Sequence, residues 1–265
     1  MFPGAATGRD EARYALVGAP LDASTTGRPG TRYGPREIRQ AAATFEDYDR
    51  HTGATFSSLA VHDGGDIEPT DDTEEYLTFL KGALADYREE GTVPLVVGGE
   101  HTVTVAAVRA LEPGVVVCLD AHLDLRESYA GNPLSHATVM RHALEAGAEV
   151  VVLGARAGSE PEFDRAGGED VTVVPPGEVP DWTLDRPGRA YLSVDIDAAD
   201  PGFAPGTGTP EPFGLAPATM HGVVRDVAPR AVGFDVVEVN DRDDGQAATL
   251  AAKLLRAFVY AHAGG

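Results

Sequence analysis

Lysine is almost missing from this chain: Lys81 and Lys253 are the only two among 21 basic residues, which face 42 acidic ones for a formal charge of −21. A field of that sign repels phosphate backbones, and no basic stripe reverses it locally, so nucleic acid is excluded as a partner. Carboxylates in such number with so little lysine are what a protein of a high-salt cytoplasm shows, where salt screens their mutual repulsion. A halophilic archaeon is the expected source. Cysteine is nearly absent as well. The single Cys118 rules out an internal disulfide, and its place in the run Val115-Val116-Val117-Cys118-Leu119 marks a buried thiol rather than a nucleophile. No apolar run approaches the roughly 18 residues of a membrane span. Residues 1–11 have neither the basic start nor the apolar core of a secretion signal. A cytoplasmic protein without a membrane partner is expected.

What is present is enough apolar material for a large core, 43% of 265 residues, which argues against disorder despite the charge. The length suits one α/β domain over residues 1–265, and no repeat, low-complexity tract or linker divides it. Short runs of Val, Leu and Ile at 14–18, 95–97, 115–119, 150–153, 191–194 and 232–237 predict strands. They are near-continuous rather than alternating, as strands covered on both faces are. Helical patterns at 73–90, 102–111, 137–146, 217–227 and 246–261 separate several of them, which predicts a doubly wound, mainly parallel sheet with helices on both faces. Gly and Pro cluster just after strands, at 18–20, 98–99 and 201–214, and ligands of such folds bind beyond the carboxyl ends of the strands.

The chemistry-bearing residues gather at those ends. Asp120, His122 and Asp124 follow the run at 115–119 two residues apart, so continued extension would put all three on one face. One such Asp is explained by capping the next helix, whereas three metal-type ligands in register are not. Asp195 and Asp197 repeat the spacing after 191–194, and Asp200, before a proline, suits a turn better than a metal. Carboxylates buried there without cations would cost several kcal/mol each or become protonated. His101, in Gly98-Gly99-Glu100-His101-Thr102, is a weak signal alone and gains weight from the other two clusters. Asp120, Asp124, Asp195 and Asp197 bring four negative charges, which two divalent ions neutralise and one does not. Oxygen and imidazole donors without thiolate suit Mn²⁺, with Mg²⁺ and other first-row ions compatible. Two ions about 3.5–4 Å apart share a water and bring its pKa towards about 7.

These motifs resemble the ureohydrolase family of arginase and agmatinase, and agmatinases most. GGEHT at 98–102, DAHLD at 120–124, SVDIDAADP at 193–201 and GTGTPEP at 206–212 carry the likeness. RPGTRYGPREIR at 28–39, NPLSHAT at 132–138 and FDVVEVN at 234–240 extend it, in the family's order, over nearly the whole chain. The resemblance implies an arginase-like three-layer α/β/α sandwich and hydrolysis of a guanidinium to an amine and urea with two manganese ions per subunit. One ion would take His101, Asp120, Asp124 and Asp195, the other Asp120, His122, Asp195 and Asp197, with Asp120 and Asp195 bridging. Asp124 would also accept a hydrogen bond from the attacking hydroxide, and His136 would shuttle a proton to the leaving amine. Glu211 would pair with the substrate guanidinium, a two-donor cation on a two-oxygen acceptor.

The resemblance implies a homo-oligomer, a trimer or hexamer, around a small guanidinium substrate. Residues 125–133 lack the Thr/Ser/Asn-rich pattern with which arginases hold the ends of arginine, so agmatine is the expected substrate; guanidinobutyrate, arginine and formimidoylglutamate are alternatives. Arg126 is expected to face outward beside Glu127 or another acid, and Phe213, where the family often has Gly, to narrow the pocket. Arg28 and Arg32 match family positions and fix the loop or a subunit contact. His62, His142 and His221 lie outside the matched ligand positions, while His51 and His262 read as surface residues. A catalytically silent homologue would have lost ligands, and all are present. A deacetylase on a related fold would show one zinc site and neither the GGEH nor the GTGTPEP string.

Overall fold

The computed structural model describes residues 1–186, 188–240 and 242–265. In chain order the strands and helices are β1 (Tyr14–Ala19), α1 (Gly34–Ala41), β2 (Val61–Asp66), α2 (Thr73–Glu89), β3 (Val93–Gly98), α3 (Val103–Leu111), β4 (Val115–Leu119), α4 (Val139–Glu145), β5 (Glu149–Leu153), α5 (Glu160–Ala166), β6 (Val171–Val174), β7 (Ala190–Asp195), α6 (Pro217–Val227), β8 (Ala231–Val237) and α7 (Gln246–Gly264). The strands form one sheet in the order β2-β1-β3-β8-β7-β4-β5-β6, every pairing parallel. Among the described residues no helix is long and apolar enough to cross a membrane.

Both faces of the sheet are buried, which is why the strand sequences do not alternate. Val115, Val117 and Leu119 pack with Leu192, Phe234 and the α6–α7 layer. Their neighbours Val116 and Cys118 point the other way, into the layer of α2, α3 and α4. Each strand therefore needs apolar residues at successive positions. The six predicted strands are present within one or two residues of their expected bounds. The two edge strands, β2 and β6, were not predicted. Covered on one side only, Val61-His62-Asp63-Gly64-Gly65-Asp66 grades from buried to exposed and carries no apolar run. The helices α1 and α5, both short and polar, are likewise additions.

Two features place the site. The chain passes from β3 to β4 across a gap later filled by β8 and β7, so four adjacent strands (β3, β8, β7, β4) end side by side at a topological switch. The ligand motifs also leave the strands instead of extending them. β4 ends at Leu119, Asp124 has a left-handed φ of 51°, and Asp197 lies in the 3₁₀ turn Ile196–Ala198. The expected convergence of Asp120, His122 and Asp124 by strand alternation is therefore corrected. They converge because the chain coils at the strand end.

Candidate active site

His101 is placed by a turn that only glycine permits. The amide of Gly99 donates to Ala19 O (2.7 Å) and that of Glu100 to Leu21 O (2.7 Å), so the turn lies directly against the exit of β1. A Cβ on Gly99 would sit 1.9 Å from Leu21 O. Buried Glu100 holds the neighbouring loop, accepting from the Ala23 and Ser24 amides (both 2.6 Å) and from the Ser24 (2.7 Å) and Thr102 (2.6 Å) hydroxyls.

The His101 ring follows from donor and acceptor arithmetic. Buried Asp235 on β8 accepts from the hydroxyls of Ser193 (2.6 Å), Thr104 (2.6 Å) and Tyr191 (2.7 Å). The Ser193 hydrogen is thus committed, and its oxygen, 3.1 Å from His101 Nε2, accepts from that nitrogen. In the neutral ring Nδ1 is then the bare lone pair. It lies 2.9 Å from Asp124 Oδ2, 3.3 Å from Asp120 Oδ2 and 3.6 Å from Asp195 Oδ2, and it is a buried atom with no well-formed hydrogen bond among the described residues. A lone pair facing three carboxylate oxygens needs a cation between them, a proton on the ring in the metal-free site or a metal ion in the loaded one.

A second donor group adjoins the first. His122 Nδ1 is 3.0 Å from Asp197 Oδ2 and 3.6 Å from Asp120 Oδ1. Asp120 thus turns one oxygen to each histidine. Asp120, His122 and Asp197 offer donor atoms within 4.8 Å of one another, as do His101, Cys118 and Asp120. The Cys118 thiol lies beside His101 Nε2 (3.8 Å), behind the ring, and burial pushes it up to about 12, so it stays protonated and outside the donor set. Asp195 Oδ1 accepts the Asp197 amide (2.9 Å), and Asp197 also accepts from the Ala121 amide (3.1 Å) and the Thr209 hydroxyl (3.2 Å).

All eight expected site residues line or border one cavity of about 290 Å³, at different depths. His101, His122, Asp124, Asp195 and Asp197 form its floor, with Asp120 buried against His101 and His122 behind them. His136 stands on the wall with Nε2 3.2 Å from Thr26 Oγ1 and Nδ1 3.4 Å from Ser24 Oγ. Glu211 is at the rim, 40% exposed, and among the described residues its carboxylate meets only His122 Nε2 at 4.0 Å, on the side of that ring away from Asp197. Glu238, passed over in the sequence although it lies inside FDVVEVN, is buried on the floor with φ 63° and accepts the His101 amide at 2.8 Å.

A family model of the arginases, "Arginase family", matches residues 12–260. The chain belongs to the arginase family. It is 36% identical to the N(1)-aminopropylagmatine ureohydrolase of Thermococcus kodakarensis, over 93% of this chain and 89% of that one. It is 35% identical to a guanidinobutyrase of Pseudomonas aeruginosa, over 91% and 83% respectively. The crystal structure of agmatine ureohydrolase of Thermoplasma volcanium superposes with a TM-score of 0.92 at 35% identity, covering 98% of this chain and 93% of that one.

Electrostatics bear the mark of a cation site in this arginase-family centre. Burial and the charge of Asp120 raise Asp124 to about 6, and burial with Asp197 and Asp120 raises Asp195 well above the carboxylate range. Burial, with Glu100 and Asp197 adding to it, does the same to Glu238. Burial opposes a charge on His122, but Asp197 and the Asp120 contact overcome it and lift the imidazole to about 12. Against burial, the His101 and His122 contacts hold Asp120 below its ordinary range. Protons collect where divalent ions would otherwise balance the carboxylates.

Several partners of the site have no motif of their own. Arg156 bridges the carbonyls of Asp197 (2.8 Å), Glu211 (2.8 Å) and Pro212 (3.0 Å), tying the 3₁₀ turn to the rim loop. Arg126 does not face outward beside Glu127. It pairs with buried Glu162 (3.1 Å), lies 5.3 Å over the Tyr129 ring and lines the cavity, while Glu127 meets Arg141. Phe213 narrows nothing: it is 84% exposed and absent from the cavity wall. Arg32 fixes the loop through Asp22 (3.0 Å), and Asp200 makes the expected turn through the Gly202 (2.8 Å) and Gly214 (3.1 Å) amides. His262 is packed rather than superficial, 2.9 Å from the Tyr14 hydroxyl.

Proposed function

We propose that this chain hydrolyses agmatine to putrescine and urea at a binuclear Mn²⁺ centre. As an arginase-family protein it is a metal-dependent hydrolase acting on linear amidines. The observation that carries the reading is the orphaned Nδ1 of His101 facing Asp120, Asp124 and Asp195, with Asp120 shared by the His122–Asp197 group. His101, Asp120, Asp124 and Asp195 would hold one ion, and Asp120, His122, Asp195 and Asp197 the other. When bound, such a pair supplies a Lewis acid that makes hydroxide available near neutral pH.

The remaining work belongs to the chain. Asp124 accepts a hydrogen bond from the attacking water and aims it at the guanidinium carbon. Reacting atoms must come within about 3–3.5 Å, and Glu211 meets His122 on the ring nitrogen away from Asp197, whereas Glu238 accepts the amide of the ligand His101 itself. The guanidinium carboxylate is therefore Glu238, buried on the floor. His136 delivers a proton to the departing amine. In balance, the guanidinium and one water give urea and the alkylammonium.

For the far end of the substrate, Glu211 has no hydrogen bond on its carboxylate among the described residues and suits an ammonium group. Guanidinobutyrate is the second reading, because Arg126 brings a guanidinium to the wall. Its charge is already met by Glu162, which favours agmatine. Assembly into a trimer or hexamer that loosens in dilute buffer belongs to the same proposal, since a subunit at −21 repels its copies when salt is low.

The test is urea release with Mn²⁺ in concentrated KCl, with agmatine, arginine and guanidinobutyrate in parallel. Urea from agmatine alone supports the proposal. Urea from another guanidine only moves the error to the cavity wall. No urea from any of them, with two metals bound, refutes it.

A further inference from the structure

His136 is gripped on both ring nitrogens by one loop. Its backbone amide donates to Ser24 Oγ at 3.0 Å, its Nδ1 lies 3.4 Å from the same oxygen, and its Nε2 lies 3.2 Å from Thr26 Oγ1. Tyr129 packs beside the ring with centroids 6.0 Å apart. The two hydroxyls differ in one respect. Ser24 Oγ is 2.7 Å from Glu100 Oε1, on a carboxylate already fixed by the Ala23 and Ser24 amides. A serine has one hydrogen to give and two lone pairs. That hydrogen goes to Glu100, the nearest acceptor, and one lone pair takes the His136 amide. Only a lone pair remains for Nδ1, so Nδ1 must be the donor.

Thr26 is under no such constraint. Among the described residues its hydroxyl has no partner besides His136, and it lines the cavity. It can donate to a bare Nε2 or accept from a protonated one. Both states of Nε2 are thus accommodated, while Nδ1 is held in one.

We infer that Ser24 is a positioning residue that fixes His136 as the Nδ1–H tautomer, making Nε2 the atom that carries the proton to the leaving amine. The inference rests on the proposed role of His136 as proton carrier. In the step, the C–N bond to the alkylamine breaks, and the amine nitrogen takes the proton from Nε2 of the imidazolium. The electron pair of that N–H bond stays on Nε2, which leaves the neutral ring with Nδ1–H on Ser24. The proton first reached the ring from the attacking water, so none is gained or lost.

The experiment reads the tautomer directly. Protein carrying ¹⁵N-histidine and loaded with diamagnetic Mg²⁺ is examined by long-range ¹H–¹⁵N NMR at a pH where the ring is neutral, with His136→Asn to assign the signal. The wild type is expected to show a pyridine-like Nε2 and a pyrrole-like Nδ1, Ser24→Ala a mixture or reversal, and Ser24→Thr the wild-type pattern. With Mn²⁺ and agmatine, Ser24→Ala should lower kcat by roughly 10- to 100-fold, at or below the bottom of the roughly 100- to 10,000-fold a general acid supplies because the ring itself stays, with KM within about twofold. Ser24→Thr should restore it. A wild-type ring protonated on Nε2, or a Ser24→Ala protein with tautomer and kcat unchanged, overturns the inference. So does loss of bound metal in Ser24→Ala, which would mean that the loop supports the metal turn through Glu100 and not the ring. If the wild type releases urea from no guanidine, the functional proposal fails, and the tautomer in wild type and variants decides this inference alone.

Discussion

Replacing Asp235 by Asn should weaken metal binding although Asp235 touches no proposed ion. The carboxylate takes three hydroxyl hydrogens, and through Ser193 it forces His101 to carry its proton on Nε2. Asparagine keeps the shape but offers one acceptor oxygen and a two-hydrogen donor. If the NH₂ faces Ser193, the serine must accept from it and turn its own hydrogen to His101 Nε2, which moves the histidine proton to Nδ1, the ligand atom. If it faces Thr104 and Tyr191, two buried hydroxyls lose their acceptor, at about 1–3 kcal/mol each. Losing such an outer partner costs about 10- to 100-fold in metal affinity, or roughly 1.4–2.7 kcal/mol. At Mn²⁺ equal to 100 times the wild-type Kd, the stabilisation by one bound ion would fall from about 2.7 to roughly 0.4–1.4 kcal/mol. Thermal unfolding of both proteins with and without Mn²⁺, with calorimetric titration, measures it. The metal-induced part of the Tm shift isolates binding from any change in the metal-free fold. Equal affinities in the two proteins would refute the tautomer argument.

Three further outcomes are expected. Glu238→Gln should keep both metals and lose turnover by at least about 100-fold, while Glu211→Gln should chiefly raise KM for agmatine; metal analysis with steady-state kinetics checks this, and the reverse ranking would restore the guanidinium role to Glu211. Mn²⁺ affinity should fall as pH drops through about 6, because Asp124 then holds a proton that must leave, and binding should release protons, His122 included; titration in buffers of different ionisation enthalpy detects them, and pH-independent binding would count against the ligand set. Gly99→Ala should destabilise the fold by about 3 kcal/mol or more, because the new Cβ would meet the Leu21 carbonyl at 1.9 Å and both are backbone-held; a Tm within a degree of wild type would show that the turn can move.

The sequence alone determined the layered parallel architecture, because strands covered on both faces must be apolar at successive positions, and those runs stand out. It also marked Asp120, His122, Asp124, Asp195 and Asp197 as residues that gather at strand ends, because Asp and His two residues apart there have few other uses. It did not show the edge strands, β2 because it grades to exposed polar residues and β6 because its four residues are too short a run to stand out, nor the coil that brings Asp124 under His101. Tertiary structure decided depth and direction. Glu211 and Glu238 both sit in matched motifs, yet only the coiling after β8 sinks Glu238 to the floor while the loop tied by Arg156 holds Glu211 at the rim. The proton positions on His101 and His136 were likewise out of reach of any motif. They are set by Asp235, Ser193, Glu100 and Ser24, residues distant in sequence whose hydrogens are counted only once the chain has brought them together.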